Sequence, residues 1–418
     1  MPLLTDLATG LVHAAVRAAA PFNPKARQWV DGRKGLWQRL EAKRDALEGC
    51  LWMHCASVGE FEQGRPVLEA IKRERPELPV LLTFFSPSGH EARRNEPLAT
   101  HVEYLPPDSA ANAQRLVELL RPRAVLWVKY ELWHHHLHAL QRAGVPTFLV
   151  SAYFWPNMPY FRWYGGAWRR MLACFSHIFV QDERSLQLLH GIGLRNVSVG
   201  GDTRFDRVDA ITRTGGPVSP AHAFQATEPT PVLVCGSTWP ADEDLLLKAL
   251  AGRRNGPRLL VAPHELHKEH LKRMEASFPK PLVLYGELEA ALAGGGIPPG
   301  IRTVLVDRMG LLARLYQHGA LAYVGGGFGD GIHSLLEPAA WGLPVIFGPR
   351  HTRFPEGQGL IDAGGGFCVR NADELRNVLE RLLDDPAALA RASAAARWYI
   401  AARIGATGRI VPMVLKGL

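Results

Sequence analysis

The chain has 418 residues, of which 47% are apolar and 21% charged. That balance describes a globular protein with a full core, excludes a disordered chain, and suits two domains of ordinary size or one large one. The formal charge of +8 is unevenly spread, and the five cysteines (50, 55, 174, 235, 368) are odd in number with no C-x-x-C spacing. They give no support to a disulfide framework or a zinc site, and read as small core residues in a reducing compartment.

In chain order, residues Leu3 to Ala20 read as an amphipathic or weakly apolar helix carrying Leu4, Leu7, Leu11, Val12, Ala15, Val16 and Ala19. Asp6, His13 and Arg17 interrupt it, so it is too polar and slightly too short for a membrane span. It also lacks the cleavage site of a signal peptide. From Leu11 to Arg44 there are eight basic residues (Arg17, Lys25, Arg27, Arg33, Lys34, Arg39, Lys43, Arg44) against two acids. An apolar helix with such a cluster suits docking on an anionic membrane face. The alternative is an ordinary helix with a solvated basic face. Nucleic acid is not expected as a partner, because no aromatic platform is interleaved with the basic residues.

Short apolar runs then alternate with helical patterns in the doubly wound manner. Leu51–Cys55, Val80–Phe84, Ala124–Val128, Thr147–Ser151 and His177–Val180 read as strands, and Glu62–Glu74 and Ala110–Leu120 as helices. The first strand ends at Ala56, and Ser57-Val58-Gly59-Glu60 leads into a helix, with Ser57 or Gly59 as the N-cap. Glu60 therefore sits at a helix start beyond the carboxyl end of a strand. It could act as a general base toward an incoming hydroxyl, or merely complement the helix dipole. The run His134-His135-His136 with His138 invites a metal, but consecutive helical histidines point apart and no acid or cysteine completes a ligand set, so no metal is expected. The aromatic run from Tyr153 to Trp168, with Arg162, Arg169 and Arg170, suits either core packing or an amphipathic patch.

Around residues 203–230 the pattern breaks into TRTGGPVSPAHAFQATEPT, rich in Gly, Pro and Thr, which marks the domain boundary. Alternation resumes with Val232–Cys235, Arg258–Ala262, Leu282–Tyr285, Thr303–Val306, Ala320–Val324, Val345–Phe347 and Gly366–Val369, and from Ala372 onward the pattern is helical. The expected organisation is an N-terminal membrane-associating segment (1–44), a first Rossmann-like domain (45–210), a linker (211–230), a second Rossmann-like domain (231–385) and a C-terminal helical segment (386–418). Two such sheets would face each other across a cleft.

The richest stretch is LAYVGGGFGDGIHSLLEPAAWGLPVIFGP, 321–349. A strand runs into glycines 325, 326, 327, 329 and 331, and His333 and Ser334 are expected to open a helix carrying Glu337-Pro338. A glycine-rich turn entering a helix offers backbone N–H groups and a positive dipole end to a phosphate. GGFGDG fits G-x-x-G-x-G, the dinucleotide spacing reversed, with no acid at the expected distance afterwards, so a tight turn alone is the other reading.

Several co-linear segments now carry a resemblance. WMHCASVGEFEQGRPVLEAI (52–71), VLLTFFSPSGHE (80–91), VKYELWHHHL (128–137), GVPTFLVSAYF (144–154), VQDERSLQLLHGIG (180–193), VGGDTRFD (199–206), GSTWPADE (236–243), DRMGLLARLY (307–316) and GIHSLLEPAAWGLPVIFGP resemble the Kdo transferases in order and content. These are GT-B glycosyltransferases that add 3-deoxy-D-manno-octulosonic acid to the lipid A precursor. The resemblance spans both domains. It implies two facing Rossmann-like domains, a CMP-Kdo donor, a lipid A precursor acceptor, an anionic membrane surface at the cytoplasmic face of the bacterial inner membrane, and no cofactor.

By position, Glu60 matches the catalytic base acting on the acceptor's 6'-hydroxyl. Glu131 matches a second cleft acid that orients the acceptor or supports Glu60, and Ser57, Gly59 and Lys129 fall on the acceptor side. Pro263 and His264 match a segment contacting the cytidine phosphate, Met309, Gly310 and Leu311 a donor loop, and Gly331 and His333 to Glu337 the nucleotide site. Glu337 would hold ribose hydroxyls, and backbone N–H groups near His333 and Ser334 would face phosphate. Four positions depart from the commoner pattern: His264 stands for Arg, Leu311 for Glu, Ser334 for Asn and His134 for Pro. His264 matters most, because it cannot make a bidentate phosphate contact, although His267, Lys268, His270 and Lys272 lie nearby. The rival expectations are another GT-B activity such as a UDP-sugar epimerase, and a catalytically silent lipid-binding protein on the same fold.

Overall fold

A computed structural model describes residues 10–11, 14–129, 131–252 and 256–418. Half of the expected helix over Leu3–Ala20 lies outside the described residues; within them, 10–11 and 14–19 are helical. The chain forms two compact units, one reaching to Arg207 and regaining Ile404–Leu418, the other running Val208–Arg403.

The first unit is built on a parallel sheet of β1 Leu51–Cys55, β2 Val80–Phe84, β3 His101–Tyr104, β4 Ala124–Val128, β5 Thr147–Ala152, β6 His177–Val180 and β7 Val197–Val199. Its order is β3-β2-β1-β4-β5-β6-β7, with Leu51 opposite both Val80 and Ala124. Parallel strands are covered on both faces, which is why β1, β2 and β4 are apolar without alternation and fully buried. Trp52, Leu81, Trp127 and Leu149 join one core. Leu51, Met53, Leu82, Leu126, Val150 and Phe179 join the other, together with Ile410, Val411 and Val414 from helix Ala406–Gly417. That returning helix is seated by Asp206, whose carboxylate accepts from Gly405 N and Thr407 N at 2.5 Å each.

The second unit holds β8 Val232–Thr238, β9 Arg258–Pro263, β10 Leu282–Leu284, β11 Thr303–Leu305, β12 Leu321–Val324, β13 Val345–Phe347 and β14 Gly366–Cys368. The order is β10-β11-β9-β8-β12-β13-β14, again parallel. The strand order reverses its winding between β1 and β4 in the first sheet and between β8 and β12 in the second. In open α/β sheets the carboxyl ends beside such a switch point form the binding crevice.

The segment expected as a linker is ordered differently. Helix Thr203–Thr214 ends within it and helix Ser219–Ala226 follows, burying Ala221 and Phe224. Its order comes from outside the segment. The buried Arg258 guanidinium donates to the carbonyls of Phe224 (2.7 Å), Gln225 (2.8 Å) and Glu228 (2.9 Å), replacing a hydrophobic period as the organising force.

Candidate functional site

In the first unit the site grows from the turn after β1. Ser57 is the N-cap of helix Val58–Glu74, its hydroxyl accepting from Glu60 N at 3.4 Å. Capping fixes Glu60 in the first turn with its side chain folded back, so that Oε2 accepts from Ala56 N at 2.5 Å. Oε1 accepts no hydrogen bond among the described residues. Gly59 lies between them, where an added Cβ would meet only Ser57 Oγ at 3.9 Å.

Across the switch point, β4 ends at Val128 and Lys129 takes φ 64°, a left-handed conformation that a side chain rarely adopts. Lys129 N donates to Val150 O at 3.1 Å, and Trp127 Nε1 donates to the Glu131 carbonyl at 2.5 Å, so both sides of the turn are held. Burial raises the Glu60 carboxyl above its ordinary range, while Ala56 N–H and the Lys129 charge oppose it. Glu131 is pushed up to about 7, by burial first and the Glu60 charge second. Its Oε2 is buried with no hydrogen-bond partner among the described residues. The result is two coupled carboxyls at one switch point, both with raised proton affinity. That arrangement suits accepting a proton from a bound hydroxyl near neutral pH.

The histidine run has structural partners. Asp108 accepts from His135 N and His136 N (3.0 and 3.1 Å), His136 Nε2 bonds the Pro106 carbonyl at 3.0 Å, and His138 Nδ1 bonds the His134 carbonyl at 2.8 Å. Among the described residues no group of three or more His, Cys, Asp or Glu gathers as metal ligands do. The aromatic run divides: Phe154 and Tyr160 are core, whereas Trp163 is 92% exposed and Tyr164 52%.

In the second unit, Ser237 at the end of β8 has φ 52°, and Trp239 is the N-cap of helix Pro240–Leu250. Trp239 stacks on His264 (centroids 4.5 Å, 26°), and His264 stacks on His333 (4.5 Å, 22°). Trp239 Nε1 donates to His333 Nε2 at 3.1 Å. Pro263 ends β9, so His264 is the first residue beyond it. Behind the stack lies Asp242, 1% exposed, accepting from Trp239 N (3.0 Å), Gly326 N (2.9 Å) and Tyr323 OH (2.8 Å). One buried carboxylate thus ties the helix start, β12 and the glycine loop together. Within GSTWPADE the sequence alone gives Trp239 and Asp242 no place in the site. The available signal was Trp-Pro-x-Asp, a proline at N1 with a capping carboxylate at N3.

The glycine loop differs from expectation in one respect. The helix begins at Leu336, not at His333 and Ser334, and spans only Leu336–Ala340. The physical reason is that His333 N donates back to Gly325 O at 3.2 Å, closing the loop on the end of β12. The N–H groups of Gly325, Gly326, Gly329 and Gly331 are likewise bonded inside the protein. Gly327 serves close approach, since a Cβ there would lie 2.6 Å from Gly348 backbone atoms. Gly331 takes φ 143°. Ser334 is exposed in the loop, and Glu337 lies in the short helix, where its charge adds to burial in raising the Tyr316 phenol. Met309 is 71% exposed after β11, Gly310 has φ 87°, and Leu311 caps helix Leu312–Leu315.

Residues 30–207 match the family described as 3-Deoxy-D-manno-octulosonic-acid transferase (kdotransferase). The chain is similar to the 3-deoxy-D-manno-octulosonic acid transferase of Bordetella pertussis, 30% identical over 427 residues and covering 96% of this chain and 97% of that one. It is also similar to that of Aquifex aeolicus, 29% identical over 344 residues, covering 80% and 86%. Two solved structures share the fold: UDP-GlcNAc 2-epimerase from Neisseria meningitidis bound to UDP-GlcNAc (TM-score 0.55, 15% identity, 88% and 99% covered) and Acinetobacter baumannii MurG (0.52, 14%, 88% and 99%). At these identities they establish the GT-B-like α/β architecture alone.

Proposed function

This chain belongs to the 3-deoxy-D-manno-octulosonic acid (Kdo) transferase family, and from that premise we propose that it moves Kdo from CMP-Kdo to the 6'-hydroxyl of a lipid A precursor. The observation that carries this reading is the pair Glu60 and Glu131 at the switch point of the first unit, with raised proton affinities. Glu60 Oε1 takes the proton of the acceptor hydroxyl as its oxygen attacks the anomeric carbon of Kdo. The bond to the CMP phosphate breaks on the opposite face, so the configuration inverts in a single displacement. Glu131 orients the acceptor and, when ionised, strengthens Glu60 as a base. Ser57 and Gly59 shape the turn, and Lys129 lies beside the acceptor's negative charge.

The donor side is the second unit. His264, with Pro263 behind it, and His333 meet the phosphate, Glu337 the ribose, and Ser334, Gly331, Met309, Gly310 and Leu311 complete the pocket wall. The exposed Trp163 and Tyr164, next to the exposed Arg162, suit the interface of an anionic membrane, where amphipathic rings and cations collect. Among the described residues no helix is long and apolar enough to cross one; attachment at the cytoplasmic face of the inner membrane would be peripheral or through the N-terminal segment.

The test is transfer from CMP-Kdo, regenerated in the assay, to a tetra-acylated bis-phosphorylated lipid A precursor, with products read by mass spectrometry. Wild type is expected to add one or more Kdo units. Glu60→Gln is expected to lose about 10³-fold or more in rate while still binding CMP, the scale set by a general base. Transfer by Glu60→Gln near the wild-type rate would remove Glu60 from that role.

A further inference from the structure

The second unit places His264 against two rings at once, Trp239 and His333, each with its centroid 4.5 Å away. The two neighbours differ in what they allow. His333 Nε2 already accepts the indole N–H of Trp239 at 3.1 Å, so a proton placed there would set two donors head to head. His333 is therefore a neutral ring with its proton on Nδ1. Burial and the neighbouring His264 both hold it below the usual imidazole range, against Asp242. His264 is different: it is exposed, and neither ring nitrogen is hydrogen-bonded among the described residues. An imidazolium at this position would lie over an indole face, which attracts a cation.

The charged groups around the stack do not neutralise it in advance. Asp242 is fully engaged by Trp239 N, Gly326 N and Tyr323 OH. Glu243, 1% exposed, is held by Arg273 and by His270 Nε2 at 2.9 Å. On the loop of His264 itself, Glu265 pairs with His267 at 3.7 Å. His264 thus presents two ring nitrogens that no carboxylate around the stack engages.

We infer that His264 takes up a proton when a cytidine nucleotide's phosphate binds, so that the Trp239–His264–His333 stack is a proton-linked phosphate clamp. The inference rests on the donor side of the proposed function. The proton comes from solvent, and the anion and imidazolium then stabilise each other. Donor affinity should consequently fall as pH rises through the imidazole range, by about tenfold between pH 6 and 8.

The experiment is calorimetric titration of the full chain with CMP near pH 7.5, in two phosphate-free buffers of different ionisation heat. The difference in observed heat gives protons taken up per CMP bound. Wild type is expected to take up a substantial fraction of a proton. His264→Gln is expected to bind more weakly with that uptake removed, and His264→Arg to bind with no uptake and little pH dependence. CMP binding without proton uptake, or uptake retained in His264→Gln, overturns this inference and leaves the donor reading standing. Failure of wild type to bind CMP at any of these pH values overturns both.

Discussion

Glu131 is the residue whose surroundings speak most plainly. In the unfolded chain its carboxyl titrates near 4.5, whereas in the folded protein it is pushed up to about 7. Between those values the native state holds a proton that the unfolded state has released. Stability therefore falls as pH rises through this window and stays low above it. Glu131→Gln, which mimics the protonated form, should flatten that fall and gain up to about 3 kcal/mol at pH 8, less whatever solvent screening removes. Urea denaturation of both proteins at pH 5 and pH 8 checks it; parallel pH dependence in the two would show that Glu131 is not the group responsible. A protein that keeps such a carboxyl accepts a cost in stability at its site, and the left-handed Lys129 beside it is a second cost of the same kind.

At the scale of elements, the glycine loop shows how a segment can be legible in kind and illegible in detail. β12, β13 and the glycines between them follow from composition, but which glycine serves which contact does not. Gly327 and Gly348 lie backbone to backbone, so Gly327→Ala should destabilise the second unit by about 2–4 kcal/mol and weaken CMP binding. Gly329→Ala, whose nearest neighbour would be 3.6 Å away, should do neither. Thermal melts with calorimetry separate the two, and equal effects from both would refute the packing argument. The strands that sequence reasoning found are the continuous apolar ones. β3 escaped it because His101 and Glu103 look like a polar surface run. Glu103 is in fact 1% exposed and held by Arg39, 64 residues earlier, with both oxygens engaged at 2.7–2.8 Å. β7, with only Val197–Val199, was too short to show a period. In the same way the helix start at Leu336 depended on one bond from His333 N to Gly325 O, which no local pattern announces. The placement of Glu60 was readable because it is local, set by a cap three residues away. The Trp239–His264–His333 stack was not, because it joins three separate loops.

For the whole molecule, the sequence reads as two successive domains and a helical tail over 386–418, yet the last part of that tail, Ile404–Leu418, belongs to the first unit. Ile410 and Val414 are fully buried against the same core as Phe148 and Phe179. Ile410→Asp would place a carboxylate there, and its effect should appear far away along the chain. Hydrogen exchange is expected to show lost protection in β1, β4 and β5, with β8, β9 and β12 unchanged and CMP still bound. Loss confined to the second unit would contradict the division. The returning helix also bears on how the protein is made. A ribosome delivers β1 to β7 early, but their covering helix follows only after the whole second unit has been synthesised. In the interval that helix's face of the first sheet has helix Val58–Glu74 over it but not its second covering helix, leaving Phe148 and Phe179 less protected from any chaperone or neighbouring nascent chain. The half that is translated first is thus the half completed last.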